Sequence, residues 1–250
     1  MRTIIALMLR EMGSRYGRTP GGYIWAVLEP LGMIILLSFG FSLLLRSPSL
    51  GNSFLLFYAT GYLPFNLFIQ TSNTTMAALT YSKNLLKYPA VTWIDAVSAR
   101  AILNILTNTL VAYILMVGIL FFVDSRTILD FGAILLSFLM AALLGLGTGL
   151  VNCALNGFLP IWPNIWRIVT RPLFLASGII WIMTDLPPFA QDILWYNPLV
   201  HITTVARIGY YPTYDPQHTS VMFPVLVGLT LIAFGLLVLR RYNLWILNQN

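Results

Sequence analysis

Residues 131–155 read FGAILLSFLMAALLGLGTGLVNCAL, and no Asp, Glu, Lys, Arg or His interrupts them. A bilayer hydrocarbon core about 30 Å thick is crossed by roughly 20 apolar residues in a helix, so this stretch is long enough to span one. Five further stretches are predominantly apolar and of comparable length: Tyr23–Leu45, Phe54–Thr75, Val97–Val123, Ile168–Thr184 and Val221–Leu239. The expected fold is an all-α integral membrane protein with six transmembrane helices. The fifth stretch is the least regular, because Pro160, Pro163 and Pro172 crowd its start. Gly145, Gly147 and Gly149 include a Gly-x-x-x-Gly spacing, which permits close helix approach. There is no internal repeat, so the inverted-repeat architecture of many secondary transporters finds no support.

Composition agrees. Of 250 residues, 58% are hydrophobic and 9% are charged, where a soluble domain carries about 25% charged residues. No soluble fold of this length could spread so few charges over its surface. A lone Cys153 makes neither an internal disulfide nor a thiolate metal cluster. The net charge of +6 reads as cytoplasmic loops rather than as a nucleic-acid surface. With the N-terminus inside, Arg2, Arg10, Arg15, Arg18, Lys83, Lys87, Arg100, Arg167, Arg171, Arg240 and Arg241 fall on the cytoplasmic side. Only Arg46, Arg126 and Arg207 fall outside, which accounts for all 14 basic residues. The positive-inside rule therefore puts both termini in the cytoplasm.

The segment before the first span is not a cleavable signal: Arg10, Glu11, Arg15 and Arg18 interrupt it, and it is expected to be retained. Ile5, Leu9, Met12 and Tyr16 share one helical face, and Arg10, Glu11, Ser14, Arg15 and Arg18 the other. A basic amphipathic helix of this kind lies in the membrane interface, as an anchor or as part of substrate entry. Arg15 and Arg18 stand at the cytoplasmic headgroup level, where basic residues attract anionic groups. Between the last two spans, Asp185–Ser220 is long for a bare loop and rich in Phe189, Ile193, Trp195, Tyr196 and Ile202. Re-entrant short helices broken at Pro187, Pro188, Asn197, Pro198 and Pro212 would account for that apolar load.

Catalytic motifs are missing. The two lysines, Lys83 and Lys87, follow Ser82 and Leu86, so no P-loop is present. The chain is read as no enzyme, and any ATP hydrolysis must come from another chain. His201 and His218 are the only histidines and do not make a zincin pair. Ser177-Gly178 with downstream His201 suggests an intramembrane serine protease, but Leu175 stands where that motif has glycine. A membrane-helix Ser more often bonds a neighbouring backbone.

Intramembrane polar residues are then the functional signal. Tyr62, Asn66, Gln70 and Asn73 recur at spacings of four, four and three, one stripe on one face. The run Gln70–Thr75 continues it toward the cytoplasm. Lipid cannot satisfy these amides, so the stripe faces protein or water, and its polar count favours a conduit. A second stripe, Arg100, Asn104 and Asn108, is read as interhelical bonding. Glu29, some way into the first span, wants a basic partner, with Arg100 and Arg171 as candidates. Trp181, near the outer end of the fifth span, offers a face for stacking on sugar or an interface anchor.

Three strings carry a family resemblance. Leu9-Arg10-Glu11 through Arg15-Tyr16-Gly17 with Gly22-Tyr23-Ile24-Trp25-Ala26-Val27-Leu28-Glu29-Pro30 resembles the N-terminus of ABC-2 type permeases that export cell-surface polysaccharides, the capsule (KpsM-type) subgroup above all. Tyr196-Asn197-Pro198-Leu199-Val200-His201 followed by Arg207 resembles that family's segment between the last two spans. Lys87-Tyr88-Pro89 resembles its first cytoplasmic loop. The resemblance implies that residues 1–250 form a single ABC-2 type transmembrane domain, with 1–20 the interfacial helix and 21–250 the six-helix membrane part. It implies a homodimer in a bacterial inner membrane, two copies of an ABC ATPase subunit that bind ATP and Mg, and no cofactor on this chain. The cargo it implies is a lipid-linked polysaccharide, with periplasmic and outer-membrane export proteins as further partners. It also implies that the first cytoplasmic loop docks on the ATPase, which singles out Lys83, Leu85, Leu86, Lys87 and Tyr88. The alternatives are an ABC-2 permease for O-antigen, teichoic acid or a drug, an intramembrane enzyme, and a passive channel.

Overall fold

Helices that cross hydrocarbon need length and apolar side chains. Four have both: Ile24–Ser42, Trp93–Phe122, Phe131–Phe158 and Met222–Asn243. They belong to a computed structural model that describes residues 2–16, 22–86, 88, 91–123, 128–216 and 219–249, in which every regular element is helical. The order is α1 (Arg2–Tyr16), α2 (Gly22–Ser42), α3 (Phe54–Met76), α4 (Ala78–Ser82), α5 (Trp93–Phe122), α6 (Phe131–Phe158) and α7 (Trp162–Ala176). A 3-10 turn (Met183–Asp185), α8 (Pro188–Leu194), α9 (Pro198–Tyr210) and α10 (Met222–Gln249) complete it. At 23 residues α3 has the length to cross, but its amides and hydroxyls make it less apolar than the other four.

Helix starts follow capping chemistry. Thr92 and Asp95 form a reciprocal capping box at α5. Asp130 accepts from Gly132 N at 2.8 Å and Ala133 N at 3.2 Å to open α6. Asn197 accepts from Leu199 N ahead of Pro198 to open α9.

The stretch expected as a fifth span, Ile168–Thr184, is not one of these four helices and has a different range. Pro163 sits in the first turn of α7, where a missing N–H costs nothing, so the helix starts at Trp162. It ends at Ala176, just before Gly178 turns left-handed at φ +71°. The 15-residue helix rises about 22 Å, short of the hydrocarbon core. The short helices expected between Asp185 and Ser220 are present as α8 and α9. Of the prolines expected to break them, Pro188 and Pro198 instead occupy first-turn positions of helices. Nearly all of α9 is buried, packed on α3 and α6.

Two pairings also differ from expectation. Glu11 was expected on the solvated face of α1, yet it is 6% exposed and bridges Arg100 Nε at 2.8 Å. Arg100 also donates to Ala77 O and lies 4.2 Å over the Tyr81 ring. It is therefore not the partner of Glu29, whose carboxylate is exposed, and Arg171 is exposed on α7. Ile5, Leu9 and Met12 of α1 do face outward, as an interfacial helix requires.

The core forms around α3, with 16 of its 23 residues buried, whereas α7 has none. Small residues on α6 let the neighbours close in. A Cβ at Gly145 would lie 2.8 Å from Phe68 O, and one at Gly149 would lie 2.6 Å from Thr75 Cβ. On the opposite face, a Cβ at Gly147 would lie 2.7 Å from Gly228 O of α10. The Gly-x-x-x-Gly signal thus marks the α3–α6 contact, and the glycine between them serves α10. Gly149→Val is expected to lower stability by about 1–3 kcal/mol through overpacking, read by thermal unfolding in detergent. Gly118→Ala on α5, with nothing within 4 Å of its new methyl, should leave the midpoint unchanged or slightly raised.

Candidate functional site

The polar run on α3 divides between two faces. Thr71, Ser72, Thr74 and Thr75 are buried. Asn104 of α5 donates to Thr71 Oγ1 and accepts from Thr74 Oγ1, both at 3.3 Å. Asn152 of α6 donates to Ser72 Oγ at 3.3 Å. Asn108 donates to Asn104 O and Oδ1 and accepts from Asn66 Nδ2 at 3.5 Å. The third-span stripe is interhelical bonding, as its pattern suggested. Much of Gln70–Thr75 is packing as well, each bond contributing about 0.6 kcal/mol on average.

Tyr62, Asn66, Gln70 and Asn73 are different. All four are half-buried along one side of α3, and α7 lies over that side. Trp166 donates its indole N–H to Asn73 Oδ1 at 3.0 Å. One turn earlier, Trp162 donates to Asn152 Oδ1 at 3.0 Å. Toward the other end, Phe174 meets Tyr62 and Phe65 edge-on, with centroids 6.4 and 5.4 Å apart. So α7 is held to the bundle by indole–amide bonds at one end and ring contacts at the other. Sequence reasoning missed Trp162, Trp166 and Phe174. The four-residue spacing of the two tryptophans was the signal available.

Beyond Ala176 the chain leaves the helix, and side chains take up its carbonyls. Asn197 donates to Ala176 O at 2.9 Å and Thr203 to Ser177 O at 2.9 Å. Arg207 donates to Ile179 O at 2.8 Å and Trp181 O at 2.9 Å. Trp181, expected near a helix end, lies in this irregular segment, half-buried, with its indole on Leu175 O. Arg207 is 1% exposed and 4.2 Å over the Phe57 ring. Burial pulls its guanidinium down to about 10, with Tyr214, Tyr211, Tyr58 and Asp185 opposing, so it stays charged at neutral pH.

On the cytoplasmic side, Lys83 and Leu85 are half-buried, Leu86 packs on the cluster around Leu79 and Leu150, and Tyr88 is 64% exposed. Leu85 lines a crevice with Leu7 and Arg10 of α1. Lys87, Arg18 and the Arg15 side chain lie outside the described residues. The serine-protease alternative finds no dyad. Ser177 Oγ donates to Phe174 O, and both His201 nitrogens are occupied, by Trp195 O and by Ser220 N.

The profile of the ABC-2 type transporter family matches residues 2–211. The polysialic acid transport protein KpsM of Escherichia coli is 29% identical over 238 residues, covering 95% of this chain and 92% of that protein. The capsule polysaccharide export inner-membrane protein CtrC of Neisseria meningitidis serogroup B is 28% identical, covering 97% and 91%. The capsule polysaccharide export inner-membrane protein BexB of Haemophilus influenzae is 27% identical over the same shares.

His201 carries a pH dependence. Ser220 N donates to Nδ1, so Nε2 bears the proton given to Trp195 O and the ring is neutral. Desolvation lowers its pKa below 6.5, with the Trp195 carbonyl opposing. The unfolded chain therefore takes up the proton first as pH falls, and stability declines from about pH 6.5 downward. The thermal midpoint in detergent should drop on acidification, and His201→Gln should flatten that slope.

Proposed function

The chain belongs to the ABC-2 type transporter family, and from that premise we propose that it is the permease subunit of an ATP-driven exporter that carries a lipid-linked capsular polysaccharide out across the inner membrane. The observation that carries this reading is the end-to-end likeness to relatives named for polysialic acid transport and capsule polysaccharide export, over 95% and 97% of this chain. The chain has no P-loop, so two copies of a separate ABC ATPase supply the energy and bind ATP and Mg. A second copy of this chain completes the permease.

The reading assigns six crossings to α2, α3, α5, α6, α7 with Ser177–Ile182, and α10. It lays α1 in the cytoplasmic interface and treats α8 and α9 as re-entrant. The outward Ile5, Leu9 and Met12 support the interfacial helix. Arg15 and Arg18 then receive the anionic headgroup end of the glycolipid.

In this reading Tyr62, Asn66, Gln70 and Asn73 line the path, with Trp181 at its outer end as a stacking surface. Neutral amides and rings suit an acidic glycan better than fixed cations, which would bind each repeat too tightly to release it. The light attachment of α7, by two indole–amide bonds and ring contacts, is what would let it move off the stripe during export. Single cysteines at Asn66 and Gln70, with Cys153 replaced by Ala, are expected to react with a small water-soluble thiol reagent during ATP turnover. A cysteine at Leu67, which is 1% exposed, should stay unlabelled. Equal labelling at all three, or none, would mean that the stripe is helix packing.

The loop Tyr81–Asp95 is read as the ATPase dock, through Lys83, Leu85, Leu86, Lys87 and Tyr88. Leu86 packs inward, so substitution there would also disturb the fold. Tyr88, exposed and aromatic, is the cleaner probe. Tyr88→Asp combined with Lys83→Asp should abolish co-purification of the ATPase while the permease still inserts; undiminished capture would exclude this loop.

A further inference from the structure

We propose that Arg207 is a positioning residue that fixes the outer end of the fifth crossing, Ser177–Ile182, against α3 and α9. The consequence for transport, an outer mouth kept closed while the path is empty, rests on the exporter reading. The positioning itself rests on geometry.

Arg207 touches three elements from one point. It sits on α9, donates Nη1 and Nη2 to the carbonyls of Trp181 and Ile179, and places its guanidinium over Phe57 of α3. Asn197 and Thr203 hold only the first turn of the segment, at Ala176 and Ser177. Farther out, the described side-chain hydrogen bonds to the segment's backbone are those of Arg207, and Asp185 N donates to Ile182 O at its end. No carboxylate among the described residues comes within ion-pair distance of it, so the charge is not there to neutralise an acid. A buried cation costs several kcal/mol in desolvation. What this one returns is a planar fork that reaches two carbonyls at once, which an ammonium on a flexible stem does not.

The neighbouring glycine supports the assignment. A Cβ at Gly61 would lie 3.1 Å from Arg207 Nη2 and 3.2 Å from Ile179 Cα. The chain thus keeps its smallest residue where guanidinium, segment and α3 converge. The next residue, Tyr62, begins the polar stripe and meets Phe174, three residues before the segment.

The test uses the full chain in lipid bilayers with its ATPase, Cys153 replaced by Ala, and spin labels at Thr184 and Asn52, both exposed. A reference pair at Asn84 and Asn164 reports on the cytoplasmic side. With Arg207 in place the outer pair should give one narrow distance. Arg207→Gln should raise a displaced population by about tenfold, the ratio that follows from losing one charge-assisted hydrogen bond, and Arg207→Lys should not restore it. The reference pair should be unchanged. An unchanged outer pair, rescue by Lys, or equal broadening of both pairs would each overturn the proposal. If Arg207→Gln does not purify as one species, Gly61→Ala keeps the guanidinium and crowds Ile179, and the same displacement is required of it. Leakage of a small dye from the liposomes without ATP is read in parallel. Displacement without leakage would support the positioning and overturn the path along α3.

Discussion

A helix that stops inside or beside hydrocarbon leaves backbone carbonyls that neither lipid nor the next turn can satisfy. The end of α7, where Ser177, Gly178 and Ile179 are buried in protein, makes the same demand, and the surrounding elements are arranged to meet it. Gly178 turns the chain, and four carbonyls between Ala176 and Trp181 are then taken by Asn197, Thr203 and Arg207. To bring those donors to the break, α9 must be buried, although it lies between two crossings in sequence. To admit the guanidinium, α3 must offer an aromatic face at Phe57 and no side chain at Gly61. One chain break thus dictates residues on three helices.

The inner half is organised by a different demand on the same helix. On the cytoplasmic half of α3, the buried hydroxyls and the glycines of α6 pack at backbone distance, and the amides of Asn104 and Asn152 fill what hydrogen bonding remains. Close packing and hydrogen bonds drive helix association in lipid, where hydrophobic burial contributes little. With that face committed, the amides at Asn66, Gln70 and Asn73 are the polar groups left toward α7. Their cover is a helix without a single buried residue. The Glu11–Arg100 pair ties α1 to α5, beside the loop that follows α4.

The sequence alone established the membrane environment, because hydropathy over about 20 residues follows from local composition, and four of the six expected spans are helices long and apolar enough to cross. It also located the stripe on α3, since helical spacing is a property of one segment. What it left undecided was which face of a polar helix is packing and which is open, for that depends on the neighbours. Asn104 and Asn66 look alike in sequence, yet one is closed between two threonines and the other is half-exposed. Glu11 looked solvated because its helix is amphipathic, and only the approach of α5 buried it against Arg100. The fifth stretch was drawn from Ile168, past the prolines that crowd its start, whereas Pro163 sits in the first turn of a helix that begins at Trp162. Arg207 read as an external charge from the sequence. Only the tertiary structure set it inside, since the carbonyls that justify burying a cation come from a segment 26 and 28 residues away.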